Sequence, residues 1–313
     1  MSNNISLDSK IYIAGHKGMV GSATWKVLKS KGYNNLIGFT SSELDLTNQA
    51  AVFDMIKKEK PEAIIDSAAK VGGIMANSAQ PYEFLMDNML IQNNLLKAAH
   101  ELDVQKFIFL GSSCIYPKMA PQPIKEEYLL TGPLEDTNQW YSIAKISGIK
   151  IVEALREQYN RDYVSLMPTN LYGPGDNFDF QTSHVFPALI RKFDDAKKNQ
   201  NSQVVLWGTG KPKREFLHVD ELASVILFAL ENKLEESLYN VGSGDEISIS
   251  ELARLMKKII GYEGEIIWDK SKPDGTPRKF LDSSKIKSIK CFSSVDLEKG
   301  IKDTYEYFLK HEN

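Results

Sequence analysis

A tyrosine and a lysine stand four residues apart in the run Tyr141-Ser142-Ile143-Ala144-Lys145. On a helix, positions i and i+4 share a face, so the phenol and the ammonium would point into one cleft. Free tyrosine, with a pKa of about 10, is a poor acid or base near neutrality. A cation beside it favours the phenolate, which predicts a tyrosine drawn toward its working range. Such pairs also arise by chance on helix surfaces, so the neighbours decide. Upstream, the apolar run 107–110 enters Gly111-Ser112-Ser113-Cys114-Ile115-Tyr116-Pro117. In an extended chain residues two apart face the same way, so Ser112 and Cys114 are expected to project together. Ser112 can hydrogen-bond a substrate oxygen, and Cys114 can act as a base where its thiolate is stabilised. The plainer alternative for Cys114 is a small buried hydrophobe.

A second motif, Gly15-His16-Lys17-Gly18-Met19-Val20-Gly21, follows the apolar run 11–14 and opens a helical stretch. Glycines there permit a tight turn and let backbone amides approach a pyrophosphate at a helix N-terminus. The pattern alone is weak, but its strand-loop-helix setting points to a dinucleotide. NAD enzymes often carry an acid at the end of the second strand for the ribose hydroxyls. Here that place reads Phe39-Thr40-Ser41-Ser42, with no carboxylate until Glu43. Lys17 with Ser41 or Ser42 could accept a 2′-phosphate instead, which favours NADP. No arginine stands at the strand end, and Lys17 could equally be a solvated lysine at a helix start.

These residues need a scaffold. Strand-like runs at 11–14, 35–39, 63–66, 107–110 and 163–167 alternate with helical stretches at 20–31, 49–58, 82–102 and 141–158. Short, wholly apolar strands alternating with helices predict a doubly wound parallel sheet of Rossmann-like α/β class, with its site at the carboxyl ends of the strands. After Asn170 the pattern becomes irregular. The segment 172–184, rich in Gly, Pro, Asp, Asn and Phe, reads as a long functional loop. Strands are expected at 204–207 and 266–268, helices at 219–230 and 250–260, and an apolar run at 238–241 that rejoins the main sheet. The expected organisation is a dinucleotide-binding domain of 1–170 and 217–245, with a smaller discontinuous α/β substrate domain of 171–216 and 246–313.

Composition narrows the class. The 313 residues are 42% hydrophobic and 25% charged, and the formal net charge is −3. That is ordinary globular material with no bulk attraction to nucleic acid or anionic membrane, so an anionic ligand must be held by local groups. The first ten residues lack the apolar core of a signal peptide, and no run approaches the roughly 20 apolar residues that span a bilayer. Only Cys114 and Cys291 are present, which implies no disulfide framework and a reducing cytoplasm. No CxxC or HExxH spacing occurs, so no metal site is expected.

The glycine loop with Ser112, Tyr141 and Lys145 resembles the extended short-chain dehydrogenase/reductase family. More narrowly, six segments resemble its GDP-L-fucose synthase branch, in that branch's order along nearly the whole chain. They are Ala14-Gly-His-Lys-Gly-Met-Val-Gly21, Ala68-Ala-Lys-Val-Gly-Gly-Ile74, Gly111-Ser-Ser-Cys-Ile-Tyr-Pro-Lys118, Met167-Pro-Thr-Asn-Leu-Tyr-Gly-Pro174, Arg214-Glu-Phe-Leu-His-Val-Asp220 and Lys272-Pro-Asp-Gly-Thr-Pro-Arg278. The departure is at 39–42, where the branch commonly has basic residues.

The resemblance implies epimerisation of GDP-4-keto-6-deoxy-D-mannose at C3 and C5 by Cys114 and His184, then NADPH-dependent reduction at C4 by Tyr141 with Ser112 and Lys145. It implies cofactor contacts from the glycine loop, Ser41, Lys145, Pro168, Asn170, Leu171 and His184, and GDP-sugar contacts from Lys192, Trp207, Arg214 and Asp274. A homodimer through the helices near 82–102 and 141–158 is also implied. Read without it, His184 is as well a loop histidine bonded to backbone, and Trp207 a core residue. The His218-Val219-Asp220 run is expected to organise the return to the first domain rather than to perform chemistry. A related enzyme acting on a 3,6-dideoxy sugar, as in colitose synthesis, is the near alternative. A non-catalytic dinucleotide sensor is the distant one, since such proteins lose the Tyr and Lys pair.

Overall fold

The computed structural model describes residues 5–180, 182–272, 274–289 and 294–311. Cys291, counted above, and Pro273 of the 272–278 segment lie outside the described residues. The first half builds β1 (Ile11–Ala14), α1 (Met19–Ser30), β2 (Leu36–Ile37), α2 (Gln49–Glu59), β3 (Ala63–Asp66), α3 (Ile74–Ala79), α4 (Pro81–Glu101), β4 (Lys106–Leu110), α5 (Gln139–Tyr159) and β5 (Asp162–Pro168). Then come β6 (Asn170–Tyr172), α6 (Val185–Lys198), β7 (Gln203–Trp207), β8 (Lys213–His218), α7 (Val219–Glu231) and β9 (Leu238–Val241). The rest is β10 (Glu246–Ser248), α8 (Ile249–Ile260), β11 (Glu265–Asp269), β12 (Arg278–Lys279), α9 (Ser284–Ser288) and α10 (Leu297–His311).

Six strands form one parallel sheet in the order β2-β1-β3-β4-β5-β9, so the run 238–241 does rejoin it. Every residue of β1, β3 and β4 is buried, as expected of strands covered on both faces. One face packs Tyr12, Ile64, Phe107 and Phe109 against residues of α2, α4 and α5. The other packs Ile13, Ile65 and Ile108 against α1 and α7. The strand order reverses between β1 and β3, which opens a crevice at their carboxyl ends where the glycine loop lies.

The second strand is shorter than the expected 35–39, because only Leu36 and Ile37 pair with β1. At Gly38 the His16 ring lies where a side chain would begin: a Cβ there would meet the ring carbon at 2.4 Å. The backbone leaves the ladder to carry that contact.

The remaining elements build a smaller layer, with β10-β8-β12 in one sheet, β6 beside β8, and β7 paired in parallel with β11. Residues of α6, α8 and α10 cover them around Phe186, Phe193, Phe216, Met256 and Phe308. Helix α8 begins with a reciprocal cap between Ser248 and Glu251 and ends at Gly261 with φ of 74°. Sequence periodicity left α6, α10, β8 and β12 unassigned. Strand β8 starts Lys213-Arg214 and buries Glu215, a pattern that does not alternate like a half-buried strand.

Candidate active site

The glycine loop is shaped by contacts that exclude side chains. Gly15 has φ of +75°, and a Cβ there would stand 2.9 Å from both Ala68 N and Ser67 O. A Cβ at Gly21 would stand 2.1 Å from the Gly15 carbonyl oxygen. Gly18 caps α1 with no side-chain acceptor, so the first amides of that helix point out of the loop without an intrachain side-chain partner. Those amides, with no side chain at Gly18 to block approach, fit a pyrophosphate. Met19 and Val20 start the helix, Lys17 is exposed, and His16 packs on Trp25 with centroids 5.7 Å apart.

Ser41 is exposed at the end of the shortened second strand. The Glu43 carboxylate does not face outward as a ribose acceptor. It turns back to accept from Thr40 N and Oγ1, both at 2.7 Å. Those bonds, with smaller help from Lys17 and His16, hold its pKa below the usual carboxylate range. Pro168 ends β5, while Asn170 and Leu171 open β6 on the same edge of the crevice. Asn170 Nδ2 donates to Glu215 O at 2.8 Å, which ties that edge to β8.

Ser112 and Cys114 come together, but not through an extended chain. Ser112 is extended (φ −159°), after which residues 113–115 form a tight 3₁₀ turn that Ser112 caps, with Cys114 N donating to Ser112 Oγ at 3.3 Å. Short polar side chains favour such local turns, and this one overrides the two-residue alternation of a strand. Helix α5 is anchored beneath the turn, since Ser142 Oγ donates to Cys114 O at 2.8 Å.

Tyr141 and Lys145 share one face of α5, with the ammonium 6.0 Å from the Tyr141 ring centroid. The expected lowering of the tyrosine pKa is not found. Lys145 Nζ donates to Leu110 O at 2.8 Å rather than serving the phenol. Burial drives the Tyr141 pKa well above its ordinary value, Cys114 and Asp66 add to this, and only Ser112 opposes it. Tyr141 is therefore a neutral phenol, suited to donating a proton. Burial lowers the Lys145 pKa, while Asp66 works against that fall.

His184 stands at the N-cap of α6, at the end of the 173–184 loop. Its side chain keeps solvent exposure, and the surrounding protein first, then the charge of Lys279, lowers its pKa. The same Lys279 places Nζ 3.4 Å from Cys114 Sγ. The ammonium beside the thiol thus also acts electrostatically on the imidazole. Sequence reasoning missed Lys279. The only signal was its place directly after the quoted 272–278 segment, on a strand of two residues.

Trp207 is 58% exposed at the end of β7, which settles it as a surface aromatic and not a core residue. Lys192 and Lys272 hold their ammonium groups 5.9 and 5.6 Å from its ring centroid. Arg214 is half-buried, and Asp274 and Cys114 favour its charge against the cost of burial. Asp274 is already engaged: Thr209 N and Oγ1 donate to its two oxygens at 2.6 and 2.7 Å, closing the turn after β7. His218 caps α7 in a reciprocal arrangement with Glu221, the organising role expected for that segment. Among the described residues, no cluster of three or more metal-ligating side chains occurs. No helix there is long and apolar enough to cross a membrane.

A family model described as the NAD dependent epimerase/dehydratase family matches residues 11–242. The chain belongs to that family. Among epimerase/dehydratase family relatives, GDP-L-fucose synthase 1 of Arabidopsis thaliana is 52% identical over 97% of this chain and 94% of its own. A GDP-L-colitose synthase of Yersinia pseudotuberculosis is 40% identical over 97% and 99%. Of solved structures, a GDP-6-OMe-4-keto-L-xylo-heptose reductase from C. jejuni superposes with a TM-score of 0.93 at 38% identity, covering 99% of each chain. A GDP-L-fucose synthetase from Naegleria fowleri bound to NADP gives 0.92 at 29% identity, covering 99% and 96%.

Proposed function

We propose that this chain converts GDP-4-keto-6-deoxy-D-mannose to GDP-L-fucose by inverting C3 and C5 and then reducing the 4-keto group with NADPH. The observation that carries the reading is Lys279 beside Cys114 and acting on His184, next to the pair Ser112 and Tyr141. Reduction alone needs the second pair. Inversion needs, in addition, two proton-carrying groups from different elements that can flank a ring.

A 4-keto group acidifies the hydrogens on its two neighbouring carbons. Cys114 removes such a proton from one face of the ring, with the Lys279 ammonium placed to stabilise the thiolate this requires. His184 returns a proton to the opposite face. Bound in the crevice, NADPH would supply the hydride for C4. Tyr141 gives its proton to the oxygen at C4, and the Ser112 hydroxyl holds that oxygen in line. The glycine loop receives the cofactor pyrophosphate, Lys17 with Ser41 the 2′-phosphate, and Lys145, Pro168, Asn170 and Leu171 the nicotinamide end. Arg214 and Lys192 meet the GDP diphosphate, Trp207 offers a face for stacking, and Asp274 holds the turn that presents it.

The chain works as two units, 1–170 with 217–245 for the cofactor and 171–216 with 246–313 for the GDP-sugar, in the cytoplasm. Exposed Tyr82, Leu90, Trp140 and Ile143 on α4 and α5 suit a homodimer. The test is product identification by NMR after supplying GDP-4-keto-6-deoxy-mannose with NADPH or NADH. GDP-L-fucose, formed faster with NADPH, is expected. No turnover with either cofactor overturns the reading, as does reduction confined to a 3,6-dideoxy substrate.

A further inference from the structure

Beneath the Tyr141 and Lys145 pair, the main sheet carries a carboxylate that the chemistry above does not use. Asp66 is the last residue of β3, in register with Ala14 of β1 and Phe109 of β4. Partners in register point to the same face, so Asp66 shares the face of Tyr12 and Phe109 that α4 and α5 cover. It is completely buried. Ala68 N donates to Oδ1 at 3.2 Å, while Oδ2 has no partner, and neither does the nearby Tyr12 hydroxyl. Lys145 Nζ lies 4.7 Å from the centroid of the Phe109 ring, the residue beside Asp66 on the sheet.

The titratable groups facing Asp66 are few. Strand β1 presents Tyr12, and α5 presents Lys145 and Tyr141. The residues that α4 buries are all uncharged, and Phe109 of β4 is apolar. Lys70, in the loop after β3, is engaged with Asp87 at 3.4 Å. Lys145 is thus the one cation acting on Asp66 among these. A buried carboxylate with one bare oxygen costs stability unless a nearby charge offsets it.

We propose that Asp66 is the internal counter-ion of Lys145, a positioning residue that acts through the lysine without touching substrate or cofactor. This rests on the assignment of Tyr141 as the proton donor. Burial raises the Asp66 pKa to about 6 and Lys145 pulls it back, so the carboxylate is ionised at neutral pH. Once ionised, it raises the pKa of both Lys145 and Tyr141. Removing the charge lowers both, so the two effects on the alkaline limb of reduction have the same sign.

The test compares wild type with the isosteric Asp66→Asn across pH. The pH at which kcat for C4 reduction falls on the alkaline side is expected to move down by about one unit in the variant. Deuterium exchange at C3 and C5, run by Cys114 and His184, stays within about twofold of wild type, which shows that the variant is folded. A change in kcat with an unmoved alkaline limb assigns Asp66 a merely structural role and overturns the proposal.

A second readout needs no substrate. The folded-state pKa of Asp66 is raised above its unfolded value of about 3.8, so the stability its proton confers is present below that value and lost as pH rises through about 6. The melting temperature of Asp66→Asn relative to wild type should therefore climb between pH 4 and pH 7. A flat difference contradicts a buried, ionising Asp66 whether or not the proposed reaction is right.

Discussion

At the scale of single residues, Lys279 links Cys114 and His184, the two groups proposed to carry protons. It stands 165 positions from Cys114 in sequence, yet its ammonium lies 3.4 Å from the sulfur. Its charge also depresses the protonation of His184. In Lys279→Gln the His184 pKa rises toward its ordinary value, so the alkaline fall of C3 and C5 exchange, where the His184 proton is lost, moves to higher pH. The exchange rate falls as well, by roughly tenfold or more, because the thiolate loses its nearest cation. Measuring exchange by NMR from pH 5 to 9 checks both effects, and an unchanged inflection would show that Lys279 does not act on His184. Tyr141 teaches the complementary lesson. Spacing put it on one face with Lys145 correctly, but its protonation depends on burial and on where Lys145 finds an acceptor, neither of which spacing reveals.

At the scale of elements, the glycine loop is the part most tightly constrained by shape. Gly21→Ala would drive a methyl group into the Gly15 carbonyl, a backbone atom that cannot swing aside as a side chain would. The expected cost is at least about 1–3 kcal/mol of stability, together with loss of NADPH affinity measured by calorimetry. Wild-type affinity in that variant would show that the loop does not take the pyrophosphate.

The main sheet could be read in advance because β1, β3, β4 and β5 are short, mostly apolar and buried runs between amphipathic helices. The smaller layer could not. Its β8 begins with two charged residues and buries Glu215, whose carboxylate takes the amides of Gly244 and Leu281 at 2.8 and 3.1 Å. A buried acid that satisfies distant backbone leaves no periodic trace. The turn at 113–115 escaped for a related reason, since a serine cap replaced the strand geometry that the neighbouring apolar run suggests.

At the scale of the whole molecule, the site exists only because distant elements converge on one crevice. The turn after β4 brings Cys114, the start of α6 brings His184, and β12 brings Lys279, while α5 sets Tyr141 and Lys145 beneath them. That convergence is what the proposed inversion of carbons requires beyond reduction. The direct test is deuterium incorporation into GDP-4-keto-6-deoxy-mannose in deuterated water, with wild type and Cys114→Ser, before NADPH is added. The account predicts deuterium at C3 and C5 with wild type and its loss with Cys114→Ser. Undiminished exchange in Cys114→Ser would contradict it.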